Sequence, residues 1–174
     1  MSMDRNLARA LNDQINHEFG AAYVYLGMAA YFETLDLDGF AGWMRAQREE
    51  EWAHGMRIYD HLAARDVQIK LAGLAAAETE YSDPQAVIAQ ALTLEQGTTH
   101  SVNALYAQAV ESGDYQAKAL MDWFVNEQVE EEDTLRTLLS QLRIAGDEGA
   151  GLLILDRELA ARQPAAVAEG DAEA

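Results

Sequence analysis

The chain contains no cysteine and only two prolines, Pro84 and Pro164. The first absence excludes a disulfide framework, thiolate metal ligation and a cysteine nucleophile. The second leaves everything before Pro84 free of the residue that most often breaks helices. Basic residues are scarce: 12 Lys and Arg against 30 Asp and Glu give a formal charge of −18 over 174 residues. That balance disfavours nucleic acid, whose phosphates require Lys and Arg, and an anionic membrane surface. It favours cations as partners. No apolar run is long enough to span a bilayer. The start, Met1 to Leu11, carries Asp4, Arg5 and Arg9 and lacks the apolar stretch of a signal peptide, so the expected location is cytoplasmic.

What is present is helical. Ala, Leu, Glu and Gln are abundant, and 49% of residues are apolar. The length suits one domain with a sizeable core, expected over residues 1–162, with 163–174 as a flexible tail. Four long segments repeat apolar residues at alternating steps of three and four. The first, Asp4 to Glu33, presents Leu7, Leu11, Gln14, Glu18, Ala22, Tyr25, Ala29 and Phe32. The second, Gly39 to Arg65, presents Phe40, Met44, Gln47, Glu51, His54, Ile58 and His61, with Asp38 as its expected N-cap. The third starts at Ser82-Asp83-Pro84 and ends at Gly113. Asp114 caps the fourth, which ends near Arg143. A short fifth, Glu148 to Ala161, carries the run Leu152 to Leu155, suited to burial at a subunit contact or on its own bundle.

The connections bound the topology. Short turns at 34–37 and 112–114 make segments one and two, and three and four, antiparallel neighbours. The stretch from Asp66 to Asp83 is longer. About 18 extended residues reach roughly 60 Å, whereas the second helix measures about 40 Å. A crossover along the whole bundle is therefore permitted. The expected fold is an all-α four-helix bundle with one long crossover between helices two and three, plus a short fifth helix.

Each seam is interrupted near its middle by one acid: Glu18, Glu51, Glu95 and Glu131. His54 follows Glu51 by three residues, on the same helical face; Gln128 precedes Glu131 by three. The four acids lie at similar depth whichever way the third helix runs. Buried carboxylates repel one another and weaken a fold unless cations neutralise them. Oxygen ligands with one imidazole suit iron or manganese. Glu50, Glu127 and Glu130 flank the seam, either as a solvated acidic face or as an accessory cation site. Tyr25 is placed to hydrogen-bond a ligand carboxylate. Trp123 and Phe124 read as core. His17, His61 and His100 lack acid partners at metal spacing and read as surface or ordinary core.

Through about Arg162 the chain resembles a bacterial non-haem ferritin. The resemblance rests on Asn16-His17-Glu18-Phe19, Glu50-Glu51-Trp52-Ala53-His54, Leu94-Glu95-Gln96, Asn126-Glu127-Gln128-Val129-Glu130-Glu131, and Ala145 to Gly149 leading into Gly151-Leu152. It implies a ferroxidase centre that oxidises Fe(II) with dioxygen or peroxide. Glu18, Glu51 and His54 match the ligands of a first iron. Glu51, Glu95 and Glu131 match those of a second, with Gln128 nearby. Glu50, Glu127, Glu130 and Glu131 match a third site, and Tyr25 a tyrosine beside the centre. The resemblance further implies a homo-24-mer shell storing ferric mineral. Bacterioferritins carry a second Glu-x-x-His and a haem-ligating Met; this chain has Gln128 with Glu131, and Trp52, so no haem is expected. Two rival readings differ in their predictions. A non-storage di-iron oxidase or peroxide scavenger would share the architecture. A purely structural bundle would bind no stoichiometric Fe(II).

Overall fold

A computed structural model describes residues 3–146 and 149–161. The expected tail at 163–174, and Asp147 and Glu148, lie outside the described residues. The helices are α1 (Arg5–Glu33), α2 (Asp38–Ala64), α3 (Pro84–Glu111), α4 (Tyr115–Ala145) and α5 (Gly149–Ala161).

Three of the four long helices start at an aspartate that accepts from the otherwise unpaired first-turn N–H groups. Asp4 accepts from the Asn6 and Leu7 amides at 2.9 and 3.1 Å. Asp83 accepts from Ala86 at 2.8 Å, with Pro84 in the first turn. Asp114 accepts from Ala117 at 3.0 Å and from Arg65 at 2.7 Å. The second helix differs from expectation. Its N-cap is Leu37, which gives no side-chain bond, and Asp38 lies inside the first turn. The missing cap comes from a distant helix: Asp156 of α5 accepts from the Phe40 amide at 3.0 Å. Gly39 permits this approach, because a Cβ there would strike the Asp156 carbonyl.

Residues 65–83 form the long crossover. They run along α1 from its N-terminal half to its C-terminal end. The Asn12 side chain donates to the Gln68 carbonyl at 3.2 Å and accepts from the Lys70 amide at 2.7 Å. One turn later Asn16 does the same with Lys70 and Ala72, at 2.8 and 2.7 Å. Backbone groups without helix partners are thereby paired by side-chain amides. Further along, Ala77 and Glu78 press against Gly27, and Tyr81 meets Tyr31 edge-on with centroids 5.3 Å apart. The chain thus returns to the end where α2 began, and α3 runs parallel to α2. This is the single-crossover topology permitted by the loop length.

The core has two apolar halves. One holds Tyr25, Met28, Phe32, Phe40, Met44, Ile88, Leu135 and Leu138. The other holds Leu7, Leu11, Ile15, Ile58, Leu62, Val102, Met121 and Phe124. Each fully buried large side chain contributes about 1.5–3 kcal/mol. The apolar run of α5 divides by helical period. Leu155 and Leu159 are buried on the bundle with Leu152 packed beside them, while Leu153 and Ile154 are 49% and 57% exposed.

Gly27→Ala should lower the melting temperature. A Cβ at that position meets the Glu78 backbone carbonyl and lies 2.9 Å from the Ala77 Cβ, which outweighs the gain in helix propensity of about 1 kcal/mol. Gly20→Ala, with nothing within 4 Å, should raise it. Thermal denaturation of both variants beside the parent checks the sign of each.

Candidate metal centre

Between the two apolar halves lies a polar layer to which all four long helices contribute. Glu18 comes from α1, Glu51 and His54 from α2, Glu95 from α3, and Gln128 and Glu131 from α4; all are buried. Glu18 and Glu95 are fully excluded from solvent and Glu51 is 1% exposed. Helical period explains the placement, since each continues an apolar seam by steps of three or four. The crossover sets α3 parallel to α2, and there Glu95 meets Gln128 of α4 across the layer.

Donor atoms of Glu18, Glu51 and His54 lie within 4.8 Å of one another. His54, Glu127 and Glu131 form a second such group, so the imidazole stands between two acidic sets. The rings of Trp123 and Phe124 wall His54 edge-on, at centroid distances of 5.4 and 5.7 Å. Its Nδ1 lies 3.6 Å from Glu51 Oε1, too far for a hydrogen bond. Four buried polar atoms of this layer have no hydrogen-bond partner: Glu18 Oε2, Glu51 Oε2, His54 Nδ1 and Gln128 Oε1. Such orphans are rare in folded proteins. The only other one among the described residues is Gln141 Oε1. Oxygen and imidazole atoms left unpaired together are the donor set of a hard or borderline cation.

The remaining atoms are held. Gln14 donates to Glu18 Oε1 at 2.7 Å, and the Tyr25 hydroxyl donates to Glu95 Oε1 at 2.6 Å. Gln128 Nε2 donates to the Glu95 carbonyl and to Glu95 Oε2, both at 3.2 Å, and faces Thr99 Oγ1 at 3.4 Å. Thr99 in turn donates to Glu132 at 2.7 Å, and Arg136 donates to the same carboxylate at 2.7 Å. The amide nitrogen of Gln128 is thus committed, while its oxygen is unpartnered. Glu95, engaged by Tyr25 and Gln128, belongs to neither close group of three among the described residues.

Burial, first, and mutual repulsion, second, push the carboxyls upward. Glu18 and Glu51 lie well above the usual carboxylate range, Glu18 also repelled by Glu51 and Glu51 by Glu95. Glu95 is raised by burial. Glu131 is pushed up to about 8 by burial and by Glu95 and Glu50. Without a cation these groups take up protons; a bound cation displaces them.

Glu50, Glu127, Glu130 and Glu131 line one cavity of about 480 Å³, together with Gln47, Thr134 and the α5 residues Leu159 and Ala160. Gln47 donates to Glu50. Glu50 and Glu127 are half-buried and Glu130 is exposed. This cavity shares Glu131 with the polar layer, so a charged path leads from the layer outward. Of the other histidines, half-buried His17 sits 2.8 Å from Thr98 Oγ1, His61 lies beside Arg65, and His100 is exposed. Trp52 is 45% exposed and stacks on Phe19 with centroids 4.4 Å apart.

Residue patterns left Gln14, Thr99 and Glu132 without a role at the site. For Gln14 the signal was there: a polar residue in an apolar seam, one turn before the acid. Thr99 carries the same signal, a polar seam residue one turn after Glu95; Glu132 carries none, because its link to the layer runs through Thr99 on another helix.

A family model for the ferritin-like domain matches residues 8–145. A bacterial non-heme ferritin of Staphylococcus haemolyticus is 36% identical over 160 residues, covering 92% of this chain and 96% of that one. The Staphylococcus aureus protein of the same description is 34% identical with the same coverage. Among solved structures, an open pore ferritin from the archaeon Archaeoglobus fulgidus superposes with a TM-score of 0.91 at 36% identity. It matches 93% of this chain and 100% of that chain.

The metal-free protein should lose stability as pH rises. Glu131 moves from 4.5 to about 8 on folding, so the folded chain holds that proton more tightly. Its contribution is full below the unfolded value and disappears as pH passes through about 8. Chemical denaturation of chelator-treated protein from about pH 5.5 to 8.5 should show a falling midpoint, and saturating Zn(II) should flatten the slope.

Proposed function

Because this chain belongs to the ferritin family, we propose that it is an iron-storage ferroxidase whose substrate is Fe(II). The observation that carries this reading is the convergence of unpartnered Glu18, Glu51 and His54 donors in a buried layer of the ferritin fold. In this reading Glu18, Glu51 and His54 hold the first Fe(II). Glu51 bridges to the second, held with Glu95 and Glu131, and Gln128 turns its free carbonyl oxygen toward the pair. Tyr25 holds one oxygen of Glu95 and Gln128 the other, so in this reading the second iron shares these oxygens with both side chains.

The negative charge of the chain concentrates Fe(II) near the bundle. Binding displaces the protons that burial had forced onto the carboxyls. Each Fe(II) then gives up one electron, and the oxidant accepts the pair. With dioxygen, two electrons and two protons yield hydrogen peroxide. The protein supplies two adjacent sites and charge compensation, while the redox chemistry belongs to iron. Glu50, Glu127 and Glu130, with Glu131, form a third site, and their cavity is the route by which ferric product leaves for the mineral. Assembly into a 24-subunit shell encloses that mineral. Apolar side chains on outer faces support assembly: Tyr23 and Leu26 of α1, each 42% exposed, and Leu153 and Ile154 of α5.

Glu51→Ala should nearly abolish fast Fe(II) oxidation, because it removes a ligand from both sites; an unchanged initial rate in stopped-flow absorbance would sink the assignment. Glu130→Ala should leave two tightly bound irons per subunit in an anaerobic titration, and loss of both would make Glu130 a primary ligand. Native mass should be about 460 kDa, twenty-four copies of a 19.2 kDa chain. A dimer would remove the storage shell from this reading and leave a di-iron oxidase.

A further inference from the structure

We propose that Gln14 is the positioning residue of the first iron site: its amide holds one oxygen of Glu18 and thereby aims the other at the cation. The proposal rests on reading Glu18, Glu51 and His54 as that site. Gln14 is 3% exposed and occupies the α1 seam between Leu11 and Glu18, on the border of the apolar half that holds Leu11 and Ile15. A buried amide at an apolar seam position costs stability unless it is bonded. Its Nε2 donates to Glu18 Oε1 at 2.7 Å, one helical turn away.

The same carboxylate has its second oxygen, Oε2, buried and unpartnered. The two oxygens are therefore unequal. One is occupied by a fixed donor from its own helix, and the other is free within the group that includes Glu51 and His54. A carboxylate on a flexible Glu side chain otherwise rotates among rotamers. A hydrogen bond from a rigid helical neighbour selects one, so the ion meets a ligand already oriented. Outer partners of metal ligands act in this way, and their loss typically weakens metal binding by roughly 10–100-fold. Glu95 lacks this asymmetry, since Tyr25 holds one oxygen and Gln128 the other; on Glu18 the one amide donor is Gln14, and the neighbouring side chain is the Glu51 carboxyl.

The test is anaerobic titration with Co(II), which is redox-stable and whose visible absorption reports ligand number and geometry. Gln14→Met keeps an unbranched side chain of similar size and removes the amide; Gln14→Leu is the second variant should the first not fold. The expected result is a folded protein that binds the same number of Co(II) ions, with the first bound roughly tenfold or more weakly and with an altered absorption band. In a Glu18→Ala background, Gln14→Met should produce no further change, because the amide then has no carboxylate to orient. Co(II) binding and spectra that superimpose on the parent's, while Glu51→Ala loses the band, would overturn the role of Gln14 and leave the site standing. So would a loss that adds in full to that of Glu18→Ala, which marks a merely structural residue. A Glu51→Ala protein with the parent's band and affinity would instead overturn the site assignment beneath the proposal.

Discussion

Four carboxylates share one buried layer in the middle of this bundle, and the rest of the structure is organised around that cost. Glu18, Glu51, Glu95 and Glu131 come from four helices and are shielded above and below by apolar halves. Carboxylates so placed repel one another and cannot all ionise unaided. The apolar halves supply the stability that lets the layer exist. They also bury the layer's donors, so that an ion entering it meets protein oxygen and imidazole atoms.

Hydrogen bonds within the layer divide the available atoms into two classes. Glu18 Oε1, both oxygens of Glu95 and the nitrogen of Gln128 are engaged by protein. Glu18 Oε2, Glu51 Oε2, His54 Nδ1 and Gln128 Oε1 are left over. The two classes separate the Glu18–Glu51–His54 group, open to a cation, from the more closely tied Glu95 side. Occupation by two ions requires Glu95 to share its oxygens between Tyr25, Gln128 and metal.

The two connections that stabilise the bundle also shape access to the layer. The crossover is held against α1 by Asn12 and Asn16, on the same helix that presents Gln14 and Glu18. The fifth helix caps α2 through Asp156 and closes one side of the cavity that contains Glu50, Glu127 and Glu130. Contacts outside the polar layer thus tie down α1 and α2, the two helices that carry the first group of donors.

Much of this was legible along the chain because helical period is a local property. A step of three or four places Glu18 in line with Leu11 and Tyr25 whatever surrounds the helix, and the same holds for Glu51 with His54 and for Gln128 with Glu131. The aspartate caps read at Asp83 and Asp114 are equally local, since cap and amide lie within three residues; Asp4, read as the first residue of its segment, is a cap of the same local kind. The α2 cap was not legible: Asp156 is 116 residues from Phe40, and no local pattern joins them. Nor could spacing choose the direction of α3, because the acids sit at similar depth either way; Asn12, Asn16 and the crossover decided it. The sequence by itself determined which residues share a helical face, and hence which acids point inward. Only the tertiary structure decided which oxygen of each acid is bonded and which is free, because that depends on contacts between side chains whose partners, apart from Gln14, lie on other helices.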